Sequence, residues 1–285
     1  MKKIFLFVVM TTILLNVCGC GIRQTDSSSE DTADNFYYIK RGETSEGISY
    51  SVVHYYGDEY ARITGYTGDE EVLVFPAEID GYPVKSVTAY SFLVNKTLKS
   101  VTFPESIEEI YLGAFCGCES LEEVILPDKY VYISGSAFRD TPYILKQFDE
   151  EGLFIRYGLL ISGEQAEGDV VLPDDILEIA DSAFERNCNI KSVVLPDGIK
   201  CIQDSMFCYC ESLESVIIPE GVEVIENSVF YDCISLKTIV LPESVTEIQY
   251  DAFANSGLEQ INIENVQVIG DNAFGGTPWS EAQQE

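Results

Sequence analysis

Two closely spaced cysteine pairs are the residues whose type and spacing could do chemistry. Cys116 and Cys118 lie one residue apart in AFCGCESLEEVILP, and Cys208 and Cys210 repeat this arrangement in FCYCESLESVIIP. Such thiolates could bind a structural zinc ion, which needs about four converging ligands, or could form disulfides in an exported protein. The elements that carry these cysteines decide between such chemistry and a structural role.

A repeat carries the cysteines. Phenylalanines recur every 23 residues, apart from one doubled interval of 46 and a last interval of 21. The members are Phe92, Phe115, Phe138, Phe184, Phe207, Phe230, Phe253 and Phe274. Apolar residues recur five and eight positions before each Phe, and prolines follow the same period. This pattern predicts a solenoid, in which each unit buries its apolar face only against its neighbours.

Each unit has the same predicted anatomy. Alternating apolar residues indicate a short strand that ends at a proline, followed by a turn, a second extended segment and a tight helical turn around the Phe. Cys118, Cys210 and Cys233 lie three residues after their Phe, and Cys188 lies four after. We interpret this slot as a corner that takes a small, readily buried residue.

The remaining cysteines receive no chemical role either. Cys116 and Cys208, one residue after their Phe, are expected to point outward as free thiols, and Cys201 has no evident partner. The two Cys-x-Cys pairs lie four repeats apart, which is unfavourable for convergence on one zinc ion. We therefore expect neither a metal nor a cofactor.

The stretch LESVIIPEGVEVIENSVFYDC resembles the BspA-type leucine-rich repeats of bacterial surface proteins. The resemblance covers residues 84–279. It implies a leucine-rich-repeat solenoid, a mostly β right-handed superhelix of short parallel strands with tight helical turns. It also implies protein binding and adhesion.

Two segments depart from the repeat pattern. Residues 139–172 form an expanded unit, in which ILKQF stands at the expected strand position and GLFIRYGLLISGEQAEGDVVLP adds hairpin strands. In the last unit Glu264 replaces the proline, and residues 280–285 form a tail. Ahead of the array, the β-rich residues 36–83 predict an N-terminal β cap over the otherwise exposed end of the core.

The N-terminus predicts export. Residues 1–19 combine a Lys pair with an apolar run too short to span a bilayer, which is typical of a signal peptide. VCGC at 17–20 resembles a bacterial lipobox, which implies lipidation of Cys20. Residues 20–35 are polar and predict a flexible, lipid-anchored tether. The chain is thus expected to be a membrane-anchored lipoprotein exposed at the bacterial cell surface.

The charge and the scarcity of catalytic motifs narrow the function. The net charge of −31 argues against nucleic acid and against docking on anionic lipids, so the membrane would be reached through the lipid anchor alone. His54 is the single histidine, and no nucleophile signature lies near it. We predict that the chain is not an enzyme; the alternative is catalysis in the cap that depends on His54.

One outward position in each repeat strand is the candidate protein-binding site. Its members are Thr102, Ile125, Val171, Val194, Ile217, Val240 and Asn262. They would form one stripe on the sheet, rimmed by Lys99, Glu122, Glu123, Lys191, Glu214 and Lys237. The expected partner is a protein of the host matrix or of another bacterial surface. Alternatively, these β-branched residues only favour strands.

Three other interpretations remain open. The tyrosines Tyr55, Tyr56, Tyr60 and Tyr66 of the cap are a second candidate surface. A noncatalytic glycan-binding module would need exposed aromatic side chains on the sheet, where the sequence has Val and Ile instead. A structural envelope spacer would bind no partner.

Overall fold

The computed structural model describes residues 36–283. The predicted signal peptide, the tether with Cys20 and the last two residues lie outside the described residues. Within residues 36–283 the chain is mostly β and forms a solenoid of about nine turns, as the sequence predicts. No helix in this range is both long and apolar enough to cross a bilayer.

Most repeats contribute two short strands, which we name by the residue that follows them. The proline strands precede the proline or its substitute: β4 (Val72–Val74), β7 (Ser100–Thr102), β9 (Glu123–Ile125), β13 (Gly168–Val171), β15 (Ile190–Val194), β17 (Ser215–Ile217), β19 (Thr238–Ile239) and β21 (Gln260–Ile261). The phenylalanine strands precede the Phe turn: β6 (Tyr82–Val87), β8 (Glu109–Ile110), β10 (Tyr132–Ile133), β14 (Glu178–Ile179), β16 (Cys201–Ile202), β18 (Val224–Ile225), β20 (Glu247–Ile248) and β22 (Val268–Ile269). Most neighbouring strands of each kind pair in parallel, as in β4-β7-β9, β13-β15-β17 and β16-β18-β20-β22, whereas β17 and β19 belong to different sheets.

The N-terminal strands cover the first turn of the solenoid. Strands β1 (Phe36–Glu43), β2 (Ile48–Tyr55) and β3 (Asp58–Tyr66) form an antiparallel sheet. Strand β3 then pairs in parallel with β6, and β5 (Glu78–Ile79) forms a short antiparallel pair with β6. Ala61 and Ile63 of β3 lie fully buried opposite Val84 and Val87, so the first repeat meets an apolar, hydrogen-bonded neighbour.

The turns around the phenylalanines differ from the predicted helical turn. In every Phe turn except that of Phe138, the residues two before and two after the Phe have positive φ, as in Ser205 (φ 55°) and Tyr209 (φ 60°) around Phe207. These left-handed residues interrupt any helix. The amide of Phe207 instead donates to the carbonyl of Val229 in the next repeat, 3.0 Å away. The turns are therefore hydrogen-bonded to one another along the solenoid.

The phenylalanine rings form the core. Phe92, Phe115 and Phe138 stack with ring centroids 4.6 and 5.3 Å apart. A second ladder runs from Phe184 through Phe207, Phe230 and Phe253 to Phe274, with spacings of 5.0–5.5 Å. These two ladders belong to two hydrophobic clusters that meet at the expanded unit.

The expanded unit explains why no phenylalanine ring joins the two ladders between Phe138 and Phe184. Its ILKQF segment contains a short 3-10 helix at Ile144–Lys146, not a strand. Strands β11 (Phe154–Arg156) and β12 (Leu159–Ser162) then form an antiparallel hairpin, and β12 pairs in parallel with β14. Gly163 follows, and a Cβ on it would lie 2.1 Å from the Phe184 ring, so only glycine fits beside that ring.

The last described turn ends in helix α1 (Pro278–Ala282). Thr277 caps this helix, accepting a hydrogen bond from the amide of Ser280 at 3.1 Å. The ring of Trp279 packs on Phe274 with centroids 4.7 Å apart. The helix thus covers the last ring of the second ladder.

Candidate protein-binding surface

The proline strands align the predicted stripe by their parallel register. Val194 lies between the buried Val193 and Leu195, so the alternation of a strand turns it outward. Val171 and Val194 are register partners, and so are Val194 and Ile217. The exposed fractions are 47% for Ile125, 71% for Val171, 60% for Ile217 and 70% for Val240; Thr102, Val194 and Asn262 are partly exposed.

The stripe has a member that the sequence analysis missed. Val74 of β4 is the register partner of Thr102 and is 64% exposed. It lies within residues 36–83, which the sequence assigned to the cap. The buried Leu73 and Phe75 flank the exposed Val74 in the same way as in the later proline strands. This alternation in the sequence could have identified Val74 as a member of the stripe.

The stripe is divided rather than continuous. Strands β9 and β13 belong to different sheets, because the 3-10 helix and the hairpin of the expanded unit lie between them in the chain. The longer apolar part follows this unit, and β19 contacts β17 there. We call Val171, Val194, Ile217 and Val240 the C-terminal stripe.

Asn262 has a different role from the apolar members. Its side-chain oxygen accepts a hydrogen bond from the amide of Leu241, and its side-chain nitrogen donates to the carbonyl of Leu241, both at 2.8 Å. The side chain thereby imitates a paired strand. Asn262 thus ends the apolar row by pairing with backbone.

The rim beside the stripe carries charges of alternating sign that pair across repeats. Lys99 approaches Glu71 at 2.8 Å, and Lys237 approaches Glu259 at 3.9 Å. The side chains of all four are more than half exposed, so each pair stabilises the fold little. Their effect is to leave this side of the stripe close to neutral.

The cysteines three residues after a Phe are core residues with a specific contact. Cys118, Cys210 and Cys233 are fully buried. Each Sγ donates to a backbone carbonyl in the preceding part of the chain: Cys118 to Phe92 at 3.1 Å, Cys210 to Phe184 at 3.0 Å and Cys233 to Phe207 at 3.0 Å. These thiols therefore join neighbouring turns.

Two cysteine predictions are wrong. Cys188 is exposed, because the buried slot three residues after Phe184 is filled by Asn187, whose side chain donates to the carbonyl of Gly163 at 2.8 Å. Cys208 was expected to point outward, yet it is buried. Its partly exposed counterpart is Cys116.

The buried thiols are held in their protonated form. Burial raises the pKa of Cys118 to about 11 and that of Cys208 to about 12, and it raises the pKa of Cys210 well above the ordinary value. A neutral thiol is a poor nucleophile and a poor metal ligand. Among residues 36–283, all cysteines are free and no group of three or more His, Cys, Asp or Glu side chains could hold a metal ion.

His54 lies in an aromatic environment. Its ring stacks on Tyr37 with centroids 4.7 Å apart, and Nδ1 lies 3.5 Å from Glu59 Oε1. Nε2 accepts a hydrogen bond from the amide of Gly57 at 3.2 Å. These contacts place the imidazole at the β2–β3 hairpin, against backbone, an aromatic ring and a carboxylate.

The cap tyrosines do not form one surface. Tyr66 stacks on the core ring of Phe92, with centroids 5.6 Å apart. Burial raises the pKa of Tyr60 to about 12. Tyr56 is 55% exposed and packs edge-on against Tyr55. The exposed aromatics near this pair are Tyr37 and Tyr38 of β1, which the sequence analysis did not select.

Comparison with family models gives one match. The model of the BspA type leucine-rich repeat region matches residues 80–150 and 167–278 in six copies, which together are more than half of the chain. The unmatched interval falls within the expanded unit. No curated protein matches the chain.

Solved structures of several other proteins are similar to the chain. A leucine-rich repeat protein of T. pallidum shares 29% identity with a TM-score of 0.39, covering 73% of this chain and 91% of its own. A leucine-rich cell surface protein of Faecalibacterium prausnitzii shares 26% identity with a TM-score of 0.34, covering 83% of this chain and 52% of its own. This chain thus spans about half of the latter. The pneumococcal vaccine antigen PcpA shares 15% identity with a TM-score of 0.43, covering 83% of this chain and 85% of its own.

Proposed function

The chain belongs to the BspA type leucine-rich repeat family, and from this membership we propose that it is a noncatalytic adhesion module that binds another protein. The binding surface is the exposed face of the proline strands. The partner is a protein of the host matrix or of another bacterial surface. The roles proposed below for individual residues are based on the structure of this chain.

The C-terminal stripe is the observation that carries the proposal. Val171, Ile217 and Val240 are each at least 60% exposed, although Val and Ile are usually buried. Side chains on neighbouring paired strands lie about 4.8 Å apart, so Val171, Val194 and Ile217 form an apolar row roughly 10 Å long. Val240 follows in the next repeat, where β19 contacts β17 without pairing with it. An aligned apolar row on an otherwise charged surface is typical of a protein-interaction site.

The sequence at the N-terminus supports the proposed location of the module. Cleavage after Gly19 and lipidation of Cys20 would anchor it to a membrane, with residues 20–35 as a tether. The module would then present its proline strands at the cell surface, where a partner protein can reach them.

A capture experiment tests the proposal. The full chain is immobilised and exposed to host-matrix and bacterial-surface extracts, and each captured protein is then purified and titrated against the chain. The stripe variant carries Ile217→Glu and Val240→Glu. Its control carries Leu177→Glu and Val268→Glu, which add the same charge at residues that are 50% and 54% exposed but lie off the stripe.

A partner that binds the control but not the stripe variant, with both folded by circular dichroism, is the expected result. A partner that binds both variants equally would move the site away from the proline strands. Failure to capture and titrate any protein would contradict the binding role and favour a structural spacer of the cell envelope.

Glycan binding is the second candidate, and the exposed aromatics of the N-terminal sheet favour it. Tyr37, Tyr38 and Tyr56 are 47%, 49% and 55% exposed, and aromatic rings commonly stack on sugars. Binding of the chain to an immobilised glycan that is lost in Tyr38→Ala but kept in the stripe variant would support this role. Loss in the stripe variant instead would exclude the N-terminal sheet.

A further inference from the structure

A column of carboxylates follows the stripe on its other side. From Pro104 to Pro242, each residue that comes directly after the repeat proline is acidic and exposed, and it lies three residues beyond a stripe member; Ala77 occupies this position after Pro76. The column is Glu105, Asp128, Asp174, Asp197, Glu220 and Glu243. Since the repeats stack in register, these carboxylates recur along the solenoid as the stripe does.

The column is not neutralised within the part of the chain that the structure describes. None of its members is within ion-pair distance of a Lys, Arg or His there, whereas the rim pairs Lys99 with Glu71 and Lys237 with Glu259. Asp128 accepts a hydrogen bond from the Tyr157 hydroxyl, and Arg156 donates to the carbonyls on either side of it, so a cation lies near this one member. The stripe thus has one near-neutral border and one negative border.

Turn chemistry does not account for this column. Aspartate is common after proline in tight turns, which suits Asp128, Asp174 and Asp197. Glutamate has no such preference, yet Glu105, Glu220 and Glu243 occupy the same position. The property that all six share is negative charge.

Building on the proposed function, we propose that the partner presents an apolar strip bordered on one side by Lys and Arg side chains. The apolar strip would cover the C-terminal stripe, and the basic border would face Asp174, Asp197, Glu220 and Glu243. Charge complementarity of this kind steers encounter and fixes the orientation of the partner. An acidic partner would be repelled by the same carboxylates.

A pair of synthetic peptides separates the contribution of the apolar stripe from that of the carboxylate column. One probe is a fluorescent amphipathic helical peptide built of Leu and Lys, and the other has Glu in place of each Lys with the same Leu face. Binding to the full chain is measured by fluorescence anisotropy, at low salt and at about 0.15 M salt, where the Debye length is about 8 Å.

Three variants accompany the probes. The column variant carries Asp174→Asn, Asp197→Asn, Glu220→Gln and Glu243→Gln. Its control carries Glu167→Gln, Glu211→Gln, Glu223→Gln and Asp271→Asn, which remove the same charge from exposed residues elsewhere. The third variant replaces Ile217 and Val240 by Thr, which tests the stripe without a change of charge.

We expect the Leu and Lys peptide to bind the chain and the control alike, about tenfold more weakly to the column variant, and more weakly as salt rises. The Leu and Glu peptide should not bind.

Three results would overturn the proposal: no binding of the Leu and Lys peptide, equal weakening by the column variant and its control, or no weakening by the column variant. If the Thr variant weakens binding and the column variant does not, the stripe remains a binding site and only the basic border is wrong. If the column variant weakens binding and the Thr variant does not, the proposed function fails instead.

Discussion

The two ends of the solenoid are covered in different ways. At the N-terminal end, β3 pairs with β6, and Val84 and Val87 are fully buried. At the C-terminal end, Ile269 occupies the same repeat position as Val87 but is 48% exposed. Within residues 36–283, the backbone of β22 pairs on one side only, with β20. Helix α1 covers Phe274 through Trp279 and leaves Ile269 open.

This difference shows what a terminal repeat lacks. An interior repeat gains apolar burial and backbone hydrogen bonds from two neighbours, whereas the last one gains them from one. At the N-terminal end, the sheet of β1, β2 and β3 replaces both contributions through the parallel pairing of β3 with β6. At the other end, a short helix replaces only part of the burial. Local stability should therefore fall toward the C-terminus.

The largest effect is expected from placing a charge at the same repeat position at both ends. Val87→Glu buries an unpaired carboxylate and should destabilise the fold by about 4–5 kcal/mol, whereas Ile269→Glu should change stability by only about 0.5 kcal/mol. Urea unfolding followed by circular dichroism measures both. Equal losses would mean that the C-terminal end is as well covered as the N-terminal end.

Removal of a core ring provides a second test of the expected fall in stability toward the C-terminus. Phe207 stacks between Phe184 and Phe230, so Phe207→Ala should cost about 3–5 kcal/mol. Phe274 has a ring neighbour on one side and Trp279 on the other, and Phe274→Ala should cost about half as much. Thermal and urea unfolding of both variants, with Leu177→Ala as an exposed control, would measure the ratio. A larger loss for Phe274→Ala would contradict the gradient.

The slot three residues after the Phe gives a smaller contrast. Cys210→Ala removes the thiol that donates to the Phe184 carbonyl and should cost about 1–2 kcal/mol. Ser256 fills this slot near the C-terminus, and its buried hydroxyl has no hydrogen-bond partner among the described residues. Ser256→Ala should therefore be neutral or slightly stabilising, as measured by urea unfolding. A loss comparable to that of Cys210→Ala would show that the hydroxyl is satisfied.

The smallest effect concerns pH at the N-terminal end. The hydrogen bond from Lys40, and then that from the Tyr50 hydroxyl, lowers the pKa of Asp80. Its contribution to stability is therefore present above the ordinary Asp pKa of about 3.9 and is lost as the pH falls through the lowered value. Hydrogen exchange of the β1 amides should be slower in the wild type than in Asp80→Asn near neutral pH. The difference should disappear in acid; a difference that persists there would exclude this carboxylate as the cause.

The sequence predicted the features that recur in each repeat. The phenylalanine period located the core rings, and the alternation before each proline identified outward residues such as Ile217. It missed the left-handed turns, because residues such as Ser205 and Tyr209 carry no local signal for positive φ. It missed Asn187 in the place of a cysteine, since side-chain hydrogen bonds to the backbone depend on the neighbouring turn. The division of the stripe depends on how the hairpin packs, which no single repeat encodes.

The break in the phenylalanine stack at the expanded unit also has a consequence for the order in which the solenoid folds. The first ladder and its hydrophobic cluster lie almost entirely N-terminal to β14, so nearly all of their residues have been synthesised before those of the second ladder. Domains and repeats fold as their contacts become available, and contacts between adjacent repeats form quickly because they are close in sequence. We therefore expect the expanded unit to separate an early-folding segment from a later one, so that the second ladder forms on a surface that is already ordered.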